Sequence, residues 1–350
     1  MLSRTADSLY WMARYTERAE NIARLLEVSH RMSLQKRGGS GYWGAALGIT
    51  GLEAAYKEKQ REKHKQRQSQ SQSQSQSQSQ SQSQSQIGND DAGGGVINPA
   101  DVLRFMGADF GNPSSILSCL KSARENCHAV RGTVTSEVWE TINTTWLEAR
   151  ESAAQLMHSD SSGEMNGSDL TKYFEWVKFR SHLSRGVTVG TMLQDEAFHF
   201  IRLGTFLERA DNTARLLDVK YDELAPKADE GHEYYEWGAL LRSVSGFEIY
   251  RKVYRDVITP NRVAELLILR EDMPRSLHAC MKEVHQILGQ VGNARSSETQ
   301  RRAGDAYSRI RYGGIDEILA VGLHDYLTGF LERTADLGNR IAQDFLVPVA

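Results

Sequence analysis

The sequence predicts an all-α protein, a helical bundle of two sequence-similar halves related by a pseudo-twofold axis. Three observations carry this. Apolar residues recur at helical spacing over long stretches, with no convincing strand alternation. Only six prolines occur in 350 residues, which suits long helices. And a set of motifs occurs twice in the same order.

Taken along the chain, Ser3 or Thr5 is placed to cap a helix that runs to about Arg37, where Gly38-Gly39 stops it. Further helical patterns cover about 41–60, 100–107, 114–131, 135–158 and 168–184. In the second half they cover about 193–223, 232–256, 260–270, 274–290, 296–309, 315–323 and 324–346. Pro113 and Pro274 suit a first helical turn, where a missing N–H costs nothing. Gly-rich breaks at 93–95, 163–167 and 313–314 mark loops.

The repeats align in three places. YTERAENIARLLEV, from Tyr15, matches FLERADNTARLLDV, from Phe206, at an offset of 191. WGAALGITGLEAAY, from Trp43, matches WGALLRSVSGFEIY, from Trp237, at 194. NPSSILSCL, from Asn112, matches MPRSLHACM, from Met273, at 161. The drop in offset places an insertion in the first copy between Tyr56 and Asn112. The halves are therefore 1–190 and 191–350, forming one compact domain, with an insert at about 57–98. Lys57 to Arg67 is strongly polar, and Ser69 to Gln86 is an unbroken Ser-Gln alternation. That tract has no apolar side chain to offset the entropy of ordering it, so disorder is expected, as a passive linker.

Composition narrows the classes. The formal net charge of −3 lacks the basic excess of a nucleic-acid binder. Cys119, Cys127 and Cys280 form no CxxC pair, which argues against a disulfide framework or thiolate zinc site and for free thiols in a reducing compartment. No apolar run reaches the roughly 18 residues of a membrane span, and the charged N-terminus is no secretory signal. A cytoplasmic protein is expected, without membrane or nucleic-acid partners.

The most informative feature is a polar stripe on the repeated helix. Glu17, Asn21 and Arg24 are spaced i, i+4, i+7 and share an arc of roughly 60°. Arg14 lies within or beside that arc and Arg18 flanks it, while Trp11, Tyr15, Ile22 and Leu26 take a separate apolar side. The second copy repeats the stripe as Glu208, Asn212 and Arg215, with Arg209 flanking. A solvated face has no need of the same three residues in the same places twice. One explanation is structural: an isologous crossing sets i against j and j against i, pairing Glu17 with Arg215 and Glu208 with Arg24. The other is that the stripes line a cleft for a charged ligand, since the arginine fork suits carboxylate or phosphate. Both hold if the network borders a pocket. Glu332 and Arg333 in FLERTADLGNRIAQDF form a third Glu-Arg pair, a candidate contributor to the same centre.

Other signals are weaker. Glu-x-x-His occurs at Glu27/His30, Glu125/His128 and Glu196/His199, the spacing of di-iron carboxylate bundles, but composition alone accounts for much of it, and no metal or cofactor is expected. Arg124, His128 and Arg131 share one helical face, either solvated charge or an anion-facing edge. Arg275 opens a helix whose free N–H groups favour anions, and its aligned partner is Ser114, so any such site is one-sided. Trp43 and Trp237 read as core. Cys119 and Cys280 hold equivalent positions, which favours packing over nucleophilic catalysis. No Walker-type loop, HExxH or GxSxG occurs.

The residues LYWMARYTERAENIARLLEV, FIRLGTFLERADNTARLLDV, ARENCHAVRG and MPRSLHAC together resemble the Alpha-E family, a bacterial all-helical family named for its Glu-Arg motif. The likeness spans nearly the whole chain outside roughly 57–98, and places the motif at Glu17-Arg18 and Glu208-Arg209. The resemblance implies association with circularly permuted ATP-grasp ligases, often with a transglutaminase-like protease, and so a role in ATP-dependent peptide synthesis or modification. On this reading the chain is an accessory or substrate-binding partner of such a ligase, its polar cleft holding a peptide or aminoacyl substrate. The alternatives are a stand-alone enzyme on amide bonds, with Glu17 or Glu208 as acid/base, and a non-catalytic scaffold. A Glu beside several arginines is a poor base, which counts against the enzyme.

Overall fold

The structure, a computed structural model, describes residues 1–35, 40–76, 97–158, 167–224 and 230–346. Among these residues the protein is all-helical, with no strand. No described helix is long and apolar enough to cross a membrane.

Two long helices, α1 (Ser3–Gln35) and α8 (Glu196–Leu224), pack side by side at the centre. Each carries its own neighbours. On α1 lie α5 (Ile116–Ala129) and α7 (Gly167–Thr191), bridged by α6 (Ser136–His158). On α8 lie α12 (Leu277–Gln290) and α15 (Leu323–Phe345), bridged by α13 (Ser297–Arg311). The shorter α2 (Ser40–Thr50) follows α1 and reaches across to α8, while α9 (Glu230–Ser243) follows α8 and reaches across to α1. The remaining elements are α3 (Glu53–Gln76), α4 (Pro99–Gly107), α10 (Phe247–Tyr254), α11 (Pro260–Ile268) and α14 (Ile315–Val321).

The central helices run parallel. Contacts between them advance together along both, from the Met1 amine on Glu196 to Arg14 on Glu208 and Glu17 on Arg209. They also come unusually close. A Cβ added at Gly204 would stand 2.3 Å from the carbonyl oxygen of Tyr10 and 3.3 Å from the Cβ of Ala13. Only glycine lets the backbones approach this far.

Several expected boundaries move. The single helices expected over 41–60 and 232–256 are each broken in two, at Gly51 (φ 67°) and Ser245 (φ 55°). A left-handed residue ends a helix by turning the chain away from the i→i+4 ladder. Pro113 and Pro274 precede their helices rather than occupy the first turn. Ser115 and Ser276 are the N-caps, their hydroxyls accepting from the backbone N–H of Ser118 and Ala279. Helix α7 extends to Thr191, beyond the expected end at 184. Disorder expected from Ser69 is corrected at its start, because α3 runs to Gln76. Lys, Glu, Gln and Arg are good helix formers, and a helix already nucleated over KEKQREKHKQR propagates at little cost. The rest of the tract, and the Gly38-Gly39 stop, lie outside the described residues.

Candidate functional site

Charged side chains meet where α1 crosses α8. The crossing opposes the two Glu-Arg dipeptides. Arg209 donates from Nε and Nη2 to the two oxygens of Glu17, each at 3.0 Å. Reciprocally, Arg18 donates from Nε to Glu208 Oε1 at 2.6 Å and from Nη2 to Oε2 at 3.1 Å. Arg14 adds a 2.7 Å bond to Glu208 Oε2. The expected pairs, Glu17 with Arg215 and Glu208 with Arg24, do not form. The reciprocal logic stands, but the arginine adjacent to each glutamate makes the bond. In a parallel register Glu17 faces Arg209, whereas Arg215 lies nearly two turns further along.

A second carboxylate, Glu20, makes the first-copy side denser. It is fully buried, accepts from Arg24 Nη2 (2.7 Å), Arg275 Nη2 (2.5 Å) and the Ser181 hydroxyl (2.7 Å), and is ion-paired with Arg185 Nη1 (2.6 Å). Arg185 and Arg275 also reach Glu17, each at 2.9 Å, and Arg275 donates to Asn21 Oδ1 at 2.9 Å. Arg24 is anchored beyond the cluster by the Ser245 hydroxyl at 2.6 Å. Glu20, Ser181 and Arg185 escaped the sequence reading. Glu20 was legible as the i−4 partner of Arg24 with an acidic counterpart in Asp211; Arg185 has no arginine counterpart in the second half, so duplication could not flag it.

Burial would raise these carboxyls, but the guanidiniums reverse it. Arg209, Arg275 and Arg185 bring Glu17 down to about 2, against the opposing charge of Glu20. Arg275, Arg185 and Arg24 hold Glu20 well below the carboxylate range, and Arg14 and Arg18 lower Glu208. All three stay ionised, each paired with arginines. A carboxylate in that state is a weak proton acceptor.

Beside this cluster the polar layer opens. A cleft of about 290 Å³ lies between α1, α8, the end of α2 and the segment before α5, walled by Arg18, Asn21, Ser114, Glu208, Asp211, Asn212 and Arg215. Here Arg215 is exposed and, among the described residues, bonds Asp211 alone, at 2.8 and 3.2 Å. Asn21 is 5% exposed, and its Nδ2 has no hydrogen-bond partner among the described residues.

A family profile described as a predicted alpha-helical domain with a conserved ER motif matches residues 1–346. The chain belongs to the Alpha-E family. No curated protein and no solved structure gives a significant match. In this Alpha-E chain both Glu-Arg dipeptides of the repeated helix lie at the crossing, each glutamate bound by the other's arginine.

The remaining candidates of this Alpha-E chain lie elsewhere. Arg124 bonds Asn143 and stacks, with Arg131, over the ring of Trp139, about 15 Å or more along α5 from the cleft. Glu332 is exposed on α15, and Arg333 sits beside Tyr326 and Arg309, with burial pulling its pKa down. This third Glu-Arg pair does not join the centre, because the face of α15 that meets the core is Phe330, Thr334, Leu337 and Ile341. The Glu-x-x-His glutamates are scattered onto separate cations: Glu27 on Lys178 and Arg31, Glu125 on Lys121, Glu196 on the N-terminal amine. No group of three or more metal-ligating side chains converges among the described residues. Trp43 and Trp237 are core, and all three cysteines are buried and free, with burial raising each thiol to about 12.

Proposed function

We propose that this chain is a helical, substrate-binding partner of an ATP-grasp-type peptide or amide ligase, holding a peptide or aminoacyl substrate in the cleft at the α1/α8 crossing. The observation that carries the reading is the cleft itself. It is an opening lined by paired charges and a buried, unpartnered amide, at the point where both Glu-Arg dipeptides meet. Ligand pockets combine a concave form with a few fixed polar groups, and this one supplies both. The ligase comes from the family resemblance, and a transglutaminase-like protease is a second partner on the same ground. The cytoplasm, where its buried thiols stay reduced, is the compartment the reading assigns.

Two further inferences belong with it. The chain is an internal duplication with pseudo-twofold symmetry. Its support is the reciprocal Glu17–Arg209 and Glu208–Arg18 pairing, the matched neighbours of α1 and α8, and left-handed breaks at Gly51 and Ser245, which are 194 residues apart like the surrounding motif. The stand-alone enzyme is the weaker alternative, since Glu17 and Glu208 are held ionised by neighbouring arginines and are poorly basic. A pure scaffold accounts for the closed Glu17/Glu20 side but leaves the open side without a role.

The test is recovery of the tagged protein from native cells, followed by reconstitution. The expected result is near-stoichiometric recovery of an ATP-grasp ligase whose turnover on its native substrate requires this chain. A ligase that works equally well without it overturns the reading.

A further inference from the structure

The open cleft has a filled twin in the same molecule. Matched by sequence, Glu208, Asp211 and Asn212 stand where Glu17, Glu20 and Asn21 stand, and Ser114 stands where Arg275 stands. Both of these last residues immediately precede a serine N-cap of near-identical backbone, Ser115 at φ −64°, ψ 155° and Ser276 at φ −69°, ψ 155°. From that point Arg275 reaches into the polar layer, donates to Glu20 and Asn21, and pairs with Glu17 at 2.9 Å. Ser114 is too short to do so. Two more side chains are trimmed on the open side. Gly51 replaces Ser245, the anchor of Arg24. Phe345 replaces Arg185 when α7 and α15 are aligned on their buried stripes, Phe174 with Thr334 and Ser181 with Ile341.

We propose that the cleft holds a guanidinium-bearing residue, an arginine of the peptide or aminoacyl substrate, whose head takes the place Arg275 fills in the twin. This rests on the polar-cleft reading and names its ligand. Three observations point to it. Glu17 Oε1 accepts from Arg209 Nε and is ion-paired with Arg275 Nη1 at 2.9 Å, whereas Glu208 Oε1 accepts from Arg18 Nε alone among the described residues. A carboxylate oxygen has two acceptor sites, so one is unused. Charge agrees. On the closed side Glu17 and Glu20 face Arg24, Arg185, Arg209 and Arg275. On the open side Glu208 and Asp211 face Arg14, Arg18 and Arg215, one guanidinium fewer among the described residues. The cleft therefore accepts one more cation without exceeding the positive charge its twin carries.

The third observation separates an amino-acid residue from a bare cation. Asn21 Oδ1 is committed to Arg275, which fixes the amide with Nδ2 as the unpartnered atom. A buried donor of this kind requires an acceptor, and the carbonyl of an arginine residue supplies one. At about 290 Å³ the cleft is at the low end of ligand pockets, room for one residue and not for a folded peptide.

The experiment is titration calorimetry of the full chain with Nα-acetyl-arginine amide, and with the lysine, glutamine and glutamate analogues. The arginine probe is expected to bind, the lysine probe at least about fivefold more weakly for want of the planar fork, and the other two not at all. Ser114→Arg supplies the missing head from within, and is expected to weaken the arginine probe at least about tenfold with an unchanged or higher Tm. Should that variant not fold, Asp211→Asn replaces it, since Asp211 belongs to a partly exposed i,i+4 pair, and the same loss is expected. Equal binding of the lysine probe, or arginine binding unaffected by either variant, overturns the proposal. Binding of the glutamate or glutamine probe at a site that Ser114→Arg blocks overturns the arginine assignment and leaves the polar-cleft reading standing. If no probe binds, the arginine assignment fails, and the ligase reconstitution separately decides the broader reading.

Discussion

At the residue scale, Glu17 shows what the polar layer costs and what offsets that cost. It is 1% exposed, and removing a carboxylate from water is tolerable only with close cations. Three arginines supply them. Glu17→Gln removes the carboxylate and leaves Arg209, Arg275 and Arg185 with less to hold. Breaking one partner of a buried pair costs about 3–5 kcal/mol, which a urea titration will read as a lower midpoint at unchanged slope. The same residue sets an acid limit. Its carboxyl is lower in the fold, about 2, than its ordinary 4.5, so its stabilisation is complete above that ordinary value and is lost as pH falls towards 2. Wild-type Tm should fall across that window, and more steeply than that of Glu17→Gln. Residue types and their repetition were legible in the sequence, as was the reciprocal form of the pairing. The partners were not. A stripe drawn at i, i+4, i+7 puts Arg18 and Arg209 on its flank, but arginine is long enough to swing from the flank into the crossing. Glu20 also fell outside a stripe drawn around Glu17, Asn21 and Arg24.

At the element scale, the crossing depends on a small-residue contact. Gly204 lies against the Tyr10 carbonyl, so a Cβ there meets backbone that cannot swing aside. Gly204→Ala should part the helices and destabilise by about 1–3 kcal/mol, as overpacking does. Gly186, in α7, has open space around it. Gly186→Ala should instead be neutral or stabilise by up to about 1 kcal/mol. Thermal melts of the two variants check the contrast; equal losses would contradict a close crossing at Gly204. Helix identity was readable from periodicity almost everywhere. The breaks at Gly51 and Ser245 were not, because a helical pattern resumes past each of them, at Tyr56 and Tyr250, and residue spacing does not report a single left-handed φ.

At the scale of the whole molecule, α1 and α8 meet in a charged layer whose two sides differ. On one side Arg275, Arg185 and Ser245 hold the polar layer together; on the other Ser114 lines an open cleft. Three motifs repeat in order in the sequence, and the Ser114/Arg275 difference was legible with them. That this difference makes a cavity depends on where the segments before α5 and α12 meet the central pair, a tertiary fact that no spacing rule encodes. The third Glu-Arg pair, at Glu332, shows the converse: a local match without the register that would bring it to the centre.

If the open side of this layer is a substrate site serving a ligase, filling it must weaken substrate binding. The co-purified ligase is assayed on its native substrate with the wild-type chain and with Ser114→Leu, which fills the cleft without adding charge. The account predicts a KM at least about tenfold higher with kcat within about twofold, the signature of lost ground-state binding. Unchanged KM and kcat, with the variant folded and bound to the ligase, would contradict it.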